Sequence, residues 1–294
     1  MTETVVGFIG LGLMGTGFVK RLRATGHRVI GYDIEASRLA AAKALGIEAA
    51  SSPAEIGGRS NVVLNCVTTT QAVADVVEGA GGLISAGRRD GQVFVDHSTS
   101  DIETTKRLAA VLFEPTGMQF VDAPVSGGPG AAETGTLAIM AGGAGDAIAS
   151  ITPLMQQLGH FTHMGPVGAG QAAKLVNQTL VLTNYCVIAE ALRLAEAYGI
   201  DAARIPDALA SGHAGSNLLP VMFGRMVPRD WTPKGYARQV LKDLEMLSEA
   251  ARSRHLAMPM ASQALTLFRM LVAQGKGELD GAAVLEVLPP GETH

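Results

Sequence analysis

Residues 5–33 read VVGFIGLGLMGTGFVKRLRATGHRVIGYD, and this stretch decides the fold. The apolar run 5–9 predicts a buried strand, and the amphipathic run after it predicts a helix that ends near Gly26. Between them lies a G-x-G-x-x-G motif formed by Gly10, Leu11, Gly12, Leu13, Met14 and Gly15. A second apolar run, 29–32, follows and closes on Asp33, which completes the context of a dinucleotide-binding fingerprint.

Each glycine of this motif has a separate physical task. Gly10 permits the tight turn, Gly12 lets the backbone approach a pyrophosphate, and Gly15 lets the helix pack on the strand. The helix N-terminus then points its N–H groups at the phosphates. The motif therefore predicts a bound dinucleotide, although a βαβ unit that binds nothing is the alternative.

Asp33 predicts which dinucleotide is bound. A carboxylate here accepts hydrogen bonds from the adenosine ribose hydroxyls and repels a 2′-phosphate. Ile34 and Glu35 offer no positive charge to such a phosphate, so the sequence favours NAD. Arg38 lies within reach if the loop folds back, which leaves NADP possible.

Composition limits the partners of the chain. Of its 294 residues, 17% are charged, which is below the usual quarter and indicates surface buried between subunits of a homodimer or homotetramer. The net charge of −4 predicts neither nucleic acid nor an anionic membrane as a partner.

Targeting and metal signals are not found in the sequence. The chain shows no signal peptide, and its most apolar segment, 175–188, is interrupted by polar residues short of a membrane span, so we expect a cytoplasmic protein. Cys66 and Cys186 lie far apart, and the seven histidines form no ligand set, so no disulfide framework and no metal site are predicted.

Strand-like and helix-like runs alternate through the first half, with further strands expected at 61–67, 92–96, 119–122 and 137–140. This alternation predicts an α/β fold with an N-terminal Rossmann domain, a doubly wound, mostly parallel sheet, over residues 1–165.

The second half, residues 166–294, shows only helical periodicity and predicts an all-α domain. A long helix at about 169–198 joins the two domains, and further helices are expected at 201–211, 234–254 and 258–274.

The long helix carries the candidate catalytic residues. Lys174, Asn177 and Gln178 stand at i, i+3 and i+4, so they share one face, which continues through apolar residues. A dehydrogenase needs a group that exchanges the hydroxyl proton, and a lysine can do this if its pKa falls from about 10.4 towards 7–8. The amides would hold the substrate. The spacing fits equally a lysine in solvent near the helix start.

Ser126, Gly127 and Gly128 follow a predicted strand and form a candidate carboxylate site. Glycines after a strand expose backbone N–H groups, and the serine hydroxyl adds a donor. An ordinary glycine-rich loop is the alternative.

Together these pieces resemble the β-hydroxyacid dehydrogenase family over essentially the whole chain. Four segments carry the resemblance: GLGLMG at 10–15, DAPVSGG at 122–128, GAGQAAKLVN at 168–177 and KDL at 242–244. The resemblance implies that Lys174 is the catalytic acid/base and that Ser126, Gly127 and Gly128 bind the substrate.

The resemblance alone implies further cofactor contacts. Val67 and Thr68 fall where the family contacts the cofactor, Thr99 falls near the nicotinamide ribose, and Lys242 reaches the cofactor. Thr68 replaces the usual proline, a change that a backbone contact would survive. Gln178 replaces a frequent asparagine, and the pair Asn177-Gln178 is similar to that of tartronate semialdehyde reductases.

These observations predict an oxidoreductase that transfers hydride between NAD(P) and a short-chain 3-hydroxyacid, of the 3-hydroxyisobutyrate or the tartronate semialdehyde and glycerate type. A reductase of another small aldehyde acid, such as succinic semialdehyde or a sulfonated analogue, is an alternative. A decarboxylating sugar-acid dehydrogenase and an imine reductase share the architecture, and an NAD-binding redox sensor without turnover is a different class.

Overall fold

The computed structural model describes residues 4–291. Its contacts divide the chain into an N-terminal unit that ends at Lys174 and a C-terminal unit that begins at Leu175. The division falls inside one continuous helix, α8 (Ala169–Ala197), and the predicted boundary after residue 165 lies in the segment just before that helix.

The N-terminal unit is built on a sheet. Within residues 4–174 its strands are β1 (Val5–Ile9), β2 (Arg28–Tyr32), β3 (Glu48–Ala49), β4 (Val62–Asn65), β5 (Val93–Asp96), β6 (Gln119–Asp122), β7 (Val125–Ser126), β8 (Leu137–Gly142) and β9 (Gly159–Gly165). Of these, β1, β2, β4, β5, β6 and β8 lie near the predicted positions. The order β3-β2-β1-β4-β5-β6 is parallel throughout, and β8 adds antiparallel pairing to β6 and β7 and parallel pairing to β9. This is the Rossmann order, so the predicted fold class is confirmed.

Apolar residues cover both faces of this sheet, as a parallel sheet requires. Phe8 and Leu64 belong to a core on one face, and Ile9, Val63 and Phe94 belong to a core on the other. Seven helices flank the strands: α1 (Leu13–Ala24), α2 (Ala36–Lys43), α3 (Pro53–Arg59), α4 (Thr70–Glu78), α5 (Ile102–Thr116), α6 (Gly128–Thr134) and α7 (Gly145–Met155).

The C-terminal unit consists of helices in its described part, residues 175–291. After α8 these are α9 (Ile205–Leu209), α10 (Leu218–Met226), α11 (Ala237–Ser253) and α12 (Pro259–Ala273), with short 3₁₀ segments at 202–204 and 281–287. A separate core that includes Leu192, Phe223 and Phe268 holds them together. The predicted all-α half is thus confirmed.

The sequence did not predict the two-residue strands β3 and β7, nor strand β9 and helix α10. Strand β9 was not predicted because its residues, GHFTHMG, are largely polar and half exposed at the end of the sheet. Helix α10 was not predicted because Pro220 and Gly224 interrupt its sequence. Pro220 lies in the first turn, where its missing N–H would have no helical partner, and so the helix tolerates it.

Helix α8 is more apolar than the sequence reading allowed. Among residues 4–291 it is the one helix that is long and apolar enough to cross a membrane by length and composition, with a window of mean hydropathy 1.2. The sequence reading noted the polar residues that interrupt 175–188, and the helix passes this test of length and composition despite them. A single helix of this kind is weak evidence for a membrane span, because core helices of soluble proteins pass the same test.

Candidate active site

The glycine motif forms the turn between β1 and α1, and its backbone explains two of the three glycines. Gly10 has a φ of +91°, and a Cβ there would lie 2.3 Å from the carbonyl oxygen of Cys66. A Cβ on Gly15 would lie 1.9 Å from the carbonyl oxygen of Gly10. Side chains at these positions would push α1 away from the strand ends.

Gly12 is different, because a Cβ there would meet nothing within 4 Å. Gly12 is also the N-cap of α1, and no side chain caps this helix. The protein itself therefore does not require glycine here, whereas a phosphate that approaches the first-turn N–H groups does. The open position above an uncapped helix N-terminus fits the pyrophosphate of a dinucleotide.

Asp33 connects the end of β2 to this turn. Its side chain is buried, and its two oxygens accept hydrogen bonds from the Leu11 N–H (2.7 Å) and the Glu35 N–H (2.8 Å). The guanidinium of Arg38 lies 3.9 Å from Oδ1. The carboxylate is thus fixed beside the glycine turn, as an acceptor for ribose hydroxyls needs, and Arg38 lies beside it as the sequence reading anticipated.

The segments after β4 and β5 meet through Ser98. Its Oγ accepts hydrogen bonds from the Val67 N–H (2.9 Å) and from Nδ2 of Asn65 (3.2 Å). Val67 and Thr99 are partly buried and Thr68 is exposed, all at the carboxyl edge of the parallel strands. The structure therefore brings these three predicted cofactor residues to the same sheet edge as the glycine turn.

Asp96, the last residue of β5, supports the contact between the segments after β4 and β5. It is fully buried and accepts hydrogen bonds on Oδ1 from Asn65 Nδ2 (2.9 Å) and from the Ser98 N–H (3.0 Å). Burial raises the pKa of the Asp96 carboxyl, while these hydrogen bonds lower it. Sequence reasoning placed Ser98 at a strand end but assigned no supporting role to Asn65, Asp96 or Ser98, and their shared position at strand ends is the signal that could have found them.

His97 is also buried, between the sheet and α1. Its ring stacks on Phe18 with centroids 4.7 Å apart, and Nδ1 lies 2.7 Å from the carbonyl oxygen of Ala123. A carbonyl only accepts, so Nδ1 carries the proton in this contact. Burial lowers the pKa of His97 to about 4, although the bond to Ala123 raises it.

The predicted carboxylate loop begins at the end of β7. Gly127 and Gly128 have φ values of +128° and +73°, which side-chain-bearing residues rarely adopt. Ser126 is partly buried, and no side chain caps α6, which starts at Gly128. The loop therefore offers backbone N–H groups beside a serine hydroxyl, the donor set that a carboxylate requires.

Lys174 lies at this loop. Its side chain is buried, with 7% exposed, and Nζ donates a hydrogen bond to the carbonyl oxygen of Val125 at 2.7 Å. Val125 directly precedes Ser126, so the lysine amine and the Ser126-Gly127-Gly128 loop are neighbours. The alternative of a lysine in solvent is wrong.

In the C-terminal unit, Asn177 and Gln178 belong to a chain of polar side chains. Nδ2 of Asn177 donates to Oε1 of Gln178 (2.8 Å), and Nε2 of Gln178 donates to Oδ2 of Asp243 (2.5 Å). Nζ of Lys242 lies 3.1 Å from Oδ1 of Asp243. Asp243, the middle residue of the KDL motif, thus joins the predicted amides on α8 to the predicted cofactor lysine on α11, a role that sequence reasoning did not assign to it.

Arg238 does not join this chain. Its guanidinium contacts Glu278 at 2.6 Å and lies 4.7 Å from the ring centroid of Tyr236, and nearly half of its side chain is exposed. These contacts hold Arg238 at the protein surface.

Comparison with known proteins agrees with this geometry. Residues 5–185 match the NAD binding domain of 6-phosphogluconate dehydrogenase, and residues 168–288 match the NAD-binding domain of NADP-dependent 3-hydroxyisobutyrate dehydrogenase.

Individual relatives cover nearly the whole chain. The 2-hydroxy-3-oxopropionate reductase of Escherichia coli is 34% identical over 98% of this chain and 98% of its own length. A probable 3-hydroxyisobutyrate dehydrogenase-like protein of Arabidopsis thaliana is 33% identical over 98% of this chain and 94% of its own. The crystal structure of 3-hydroxyisobutyrate dehydrogenase from Salmonella typhimurium superimposes with a TM-score of 0.88 at 27% identity, covering 97% of this chain and 100% of that one.

The fold, the glycine turn and these matches define an NAD(P)-dependent oxidoreductase of the hydroxyacid dehydrogenase class. More specifically, the chain belongs to the β-hydroxyacid dehydrogenase family, as its motifs predicted.

The buried His97 generates a prediction about stability. Because its pKa in the folded chain is about 4, the unfolded chain binds a proton between about pH 6.5 and pH 4 that the folded chain does not. The free energy of unfolding should therefore fall as the pH is lowered through this interval. In His97→Gln the side chain does not titrate. Over the same pH interval, the free energy of unfolding of this variant should therefore fall by about 2–3 kcal/mol less than that of the wild type.

Urea unfolding at both ends of the interval, followed by circular dichroism, measures this difference. The comparison uses the change with pH within each protein, so a uniform loss of stability in the variant does not affect it. Equal losses in the two proteins would mean that His97 has the same pKa folded and unfolded.

Proposed function

We propose that this enzyme catalyses reversible hydride transfer between NAD and a short 3-hydroxyacid, of the 3-hydroxyisobutyrate or the tartronate semialdehyde and glycerate type. The observation that carries this proposal is the buried Lys174 amine, whose Nζ lies 2.7 Å from the carbonyl oxygen that precedes the Ser126-Gly127-Gly128 loop. A proton-transfer group and a carboxylate-binding loop next to each other are what oxidation of a hydroxyacid needs.

The loop would bind the substrate carboxylate. The left-handed backbone at Gly127 and Gly128 would present successive N–H groups to a carboxylate, and the Ser126 hydroxyl would add a third donor. In a 3-hydroxyacid the hydroxyl-bearing carbon is only two bonds from the carboxylate carbon. A short acid bound to the loop would therefore bring its hydroxyl to the neighbouring Lys174 amine.

Lys174 would transfer the proton of the reacting oxygen. It gives a proton to the carbonyl oxygen in the direction of reduction and takes one from the hydroxyl in the direction of oxidation. Bound NAD supplies or accepts the hydride at its nicotinamide ring. Asn177 and Gln178, which share a face of α8 with Lys174, would hold the substrate through their amides.

The amide pair also supports a small, hydroxylated substrate. Asn177-Gln178 resembles the pair of tartronate semialdehyde reductases, and the Escherichia coli relative is named for the same reaction. Succinic semialdehyde or a sulfonated analogue would present a longer chain or a larger anion to the same loop. A sensor that binds NAD without turnover would have no need for a lysine buried beside this loop.

A panel of acids tests the proposal. We expect turnover of at least one of 3-hydroxyisobutyrate, glycerate, serine, threonate and 4-hydroxybutyrate, followed by the ultraviolet absorbance of the reduced cofactor. Lys174→Ala should lower kcat by about 10²- to 10⁴-fold, because general acid–base catalysis contributes this much. Binding of NADH, followed by its fluorescence, should be unchanged.

Lys43→Ala, which removes an exposed lysine on α2, is the matched control and should retain full activity. Parallel loss of turnover and NADH binding in Lys174→Ala would contradict the catalytic role. If the wild-type protein bound NADH but turned over none of the acids, the result would favour the alternative of an NAD-binding redox sensor.

We propose further that NAD is preferred over NADP. The buried Asp33 carboxylate supports this, because a 2′-phosphate placed beside it would meet a fixed negative charge. Arg38 opposes the preference, since its guanidinium lies 3.9 Å from Asp33 and would attract such a phosphate. Asp33 is buried and doubly hydrogen-bonded whereas Arg38 is half exposed, so the carboxylate has the stronger influence.

Asp33→Asn should weaken NADH binding by about 10- to 100-fold, because hydrogen bonds to a charged acceptor are lost. NADPH binding should weaken less or improve, because the repulsion is removed. Fluorescence titration with both cofactors measures the two affinities, and Arg38→Ala shows the separate contribution of the arginine. Tighter binding of NADPH than of NADH to the wild-type enzyme would refute the preference.

We propose that the enzyme forms a homodimer through the exposed face of α8, with a homotetramer as the larger assembly built on it. Five large apolar side chains lie on that face at helical spacing, and each is about half exposed or more: Val176, Leu180, Val187, Leu194 and Tyr198. A stripe of this size is typical of an interaction site. A helix face can pair with itself about a two-fold axis, and the low charged fraction of 17% also favours a second copy as the partner.

The double substitution Leu180→Glu with Leu194→Glu should shift the protein to a monomer. Each leucine buried in a two-fold contact contributes about 1.5–3 kcal/mol and occurs twice, so the dimer should weaken by far more than tenfold. Sedimentation velocity at micromolar protein measures the change. Phe113→Glu, at an equally exposed apolar residue of α5, is the control and should leave the assembly intact; a monomeric wild-type protein would contradict the proposal.

We also propose a cytoplasmic location. Two cysteines without a disulfide are consistent with a reducing compartment. In the proposed dimer a second copy would cover the exposed stripe on α8, so the stripe would not require a lipid phase.

A further inference from the structure

Asp122, at the end of β6, holds the first turn of α8. Its side chain is fully buried, Oδ1 accepts the Gly168 N–H at 2.7 Å, and Oδ2 accepts the Gln171 N–H at 2.8 Å. The first N–H groups of a helix have no partner within it, and a carboxylate there satisfies them and interacts favourably with the helix dipole. A residue 46 positions before Gly168 thus caps the helix that carries Lys174.

The contact is closely fitted. A Cβ on Gly142 would lie 2.7 Å from Oδ1 of Asp122, and a Cβ on Gly170 would lie 2.4 Å from its carbonyl oxygen and 2.8 Å from Oδ2. Gly168 has a φ of +93°, which favours glycine at the helix entry. Gly142 and Gly170 therefore permit the carboxylate to approach the helix this closely, and Gly168 permits the left-handed backbone at the helix entry.

Gln171 extends the contact to the segment after β5. Its side chain is buried, Nε2 donates to the Ser98 carbonyl oxygen (2.9 Å), and Oε1 accepts the Ser100 N–H (3.0 Å). The two bonds clamp the peptide groups on either side of Thr99. One helical turn thus connects Asp122 to the predicted nicotinamide-ribose segment.

Lys174 lies three residues after Gln171, so its amine is placed by the turn that Asp122 and Gln171 hold. The bond from Nζ to the Val125 carbonyl oxygen fixes the other end of the side chain. We propose that Asp122 and Gln171 are positioning residues, which lock the first turn of α8 so that the Lys174 amine and the Thr99 segment keep one fixed geometry. The inference rests on the proposed function, because it assigns these residues a role in the reaction of Lys174.

The test begins with Asp122→Asn, which keeps the shape of the side chain but leaves one of the two backbone N–H groups facing the amide nitrogen, which cannot accept a hydrogen bond. Burial raises the pKa of Asp122 to about 7, so the measurements are made above about pH 8, where the wild-type carboxylate is ionised. We expect kcat to fall about 10- to 100-fold, since a misplacement of about 1 Å has effects of this size. KM for the acid and the affinity for NADH should change little.

Two further readouts separate positioning from a general loss of structure. Amide hydrogen exchange across residues 169–174 should accelerate in Asp122→Asn, while exchange in β1 and α1 stays as in the wild type. In the Lys174→Ala background, Asp122→Asn should have no further effect on the residual rate, measured over hours at high enzyme concentration, because its effect passes through the lysine.

Asp280→Asn is the matched control. Asp280 is also a buried carboxylate that caps a helical segment, through the Ala282 N–H at 3.0 Å, but it lies in the C-terminal unit and caps a segment without predicted site residues. This variant should lower the melting temperature and leave kcat unchanged. If Asp122→Asn does not fold, Gln171→Met keeps the backbone bond to Asp122 and removes the clamp, and we expect a reduction of kcat of about tenfold that vanishes in the Lys174→Ala background.

Wild-type kcat in Asp122→Asn together with faster exchange would overturn the proposal, as would an equal fold-loss in the presence and absence of Lys174. Failure of the proposed function has a different signature, since the wild-type protein would then turn over none of the acids. In that case amide hydrogen exchange still tests whether Asp122 stabilises the first turn of α8. Unchanged exchange across residues 169–174 in Asp122→Asn would refute this role, and accelerated exchange would support it.

Discussion

The close approach of backbone to backbone at the end of β1 is the constraint on which the nucleotide-binding half depends. The turn at Gly10 passes so near the carbonyl of Cys66, and Gly15 so near the carbonyl of Gly10, that neither position has room for a Cβ. This contact aims the first turn of α1 across the strand ends. It also places the Leu11 N–H within reach of Asp33, so that β2 is tied to the same turn. The uncapped N-terminus of α1 and the position of the Asp33 carboxylate are thus both consequences of one packing contact.

The parallel sheet then sets a row of polar side chains at its carboxyl edge. Asn65, Asp96 and Asp122 end three neighbouring strands and stand in register with one another. Each supports a different segment: Asn65 and Asp96 hold Ser98, and Asp122 holds the start of α8. Buried polar groups need partners, and here the partners are the backbone groups of the segments that follow the strands. The buried side chains at the strand ends thereby fix the positions of the segments that carry the predicted site residues.

The sequence predicted the fold in its strongly patterned parts. Strands β1 and β4 are short apolar runs, and α8 has a regular helical periodicity. Both patterns are local, so a window of a few residues suffices to recognise them. Strand β9 and helix α10 have weak local patterns, and their structure depends on pairing with β8 and on the core around Phe223. Local propensity carries no information about such distant partners.

The residues of the candidate site also fall into a group that the sequence predicted and a group that it did not. Gly10, Asp33, Ser126 and Lys174 lie in recognisable motifs, and their positions follow from the motif and the fold. Asp122 and Asp243 also lie in such motifs, but their roles could not be predicted, because each acts on a residue remote in sequence: Asp122 on Gly168, and Asp243 on Gln178. Their partners become visible only once the strands and helices are assembled.

The unbroken course of α8 has a consequence for how this scaffold can diversify. Each residue of an α-helix advances the direction of the next side chain by about 100°, so an insertion or deletion between positions 174 and 178 would turn the amides away from the face of the lysine. Loops can change length without such a penalty. New specificities on this scaffold must therefore arise by exchange of side chains along α8 and by remodelling of the loops, with the length of the helical segment between those positions held constant.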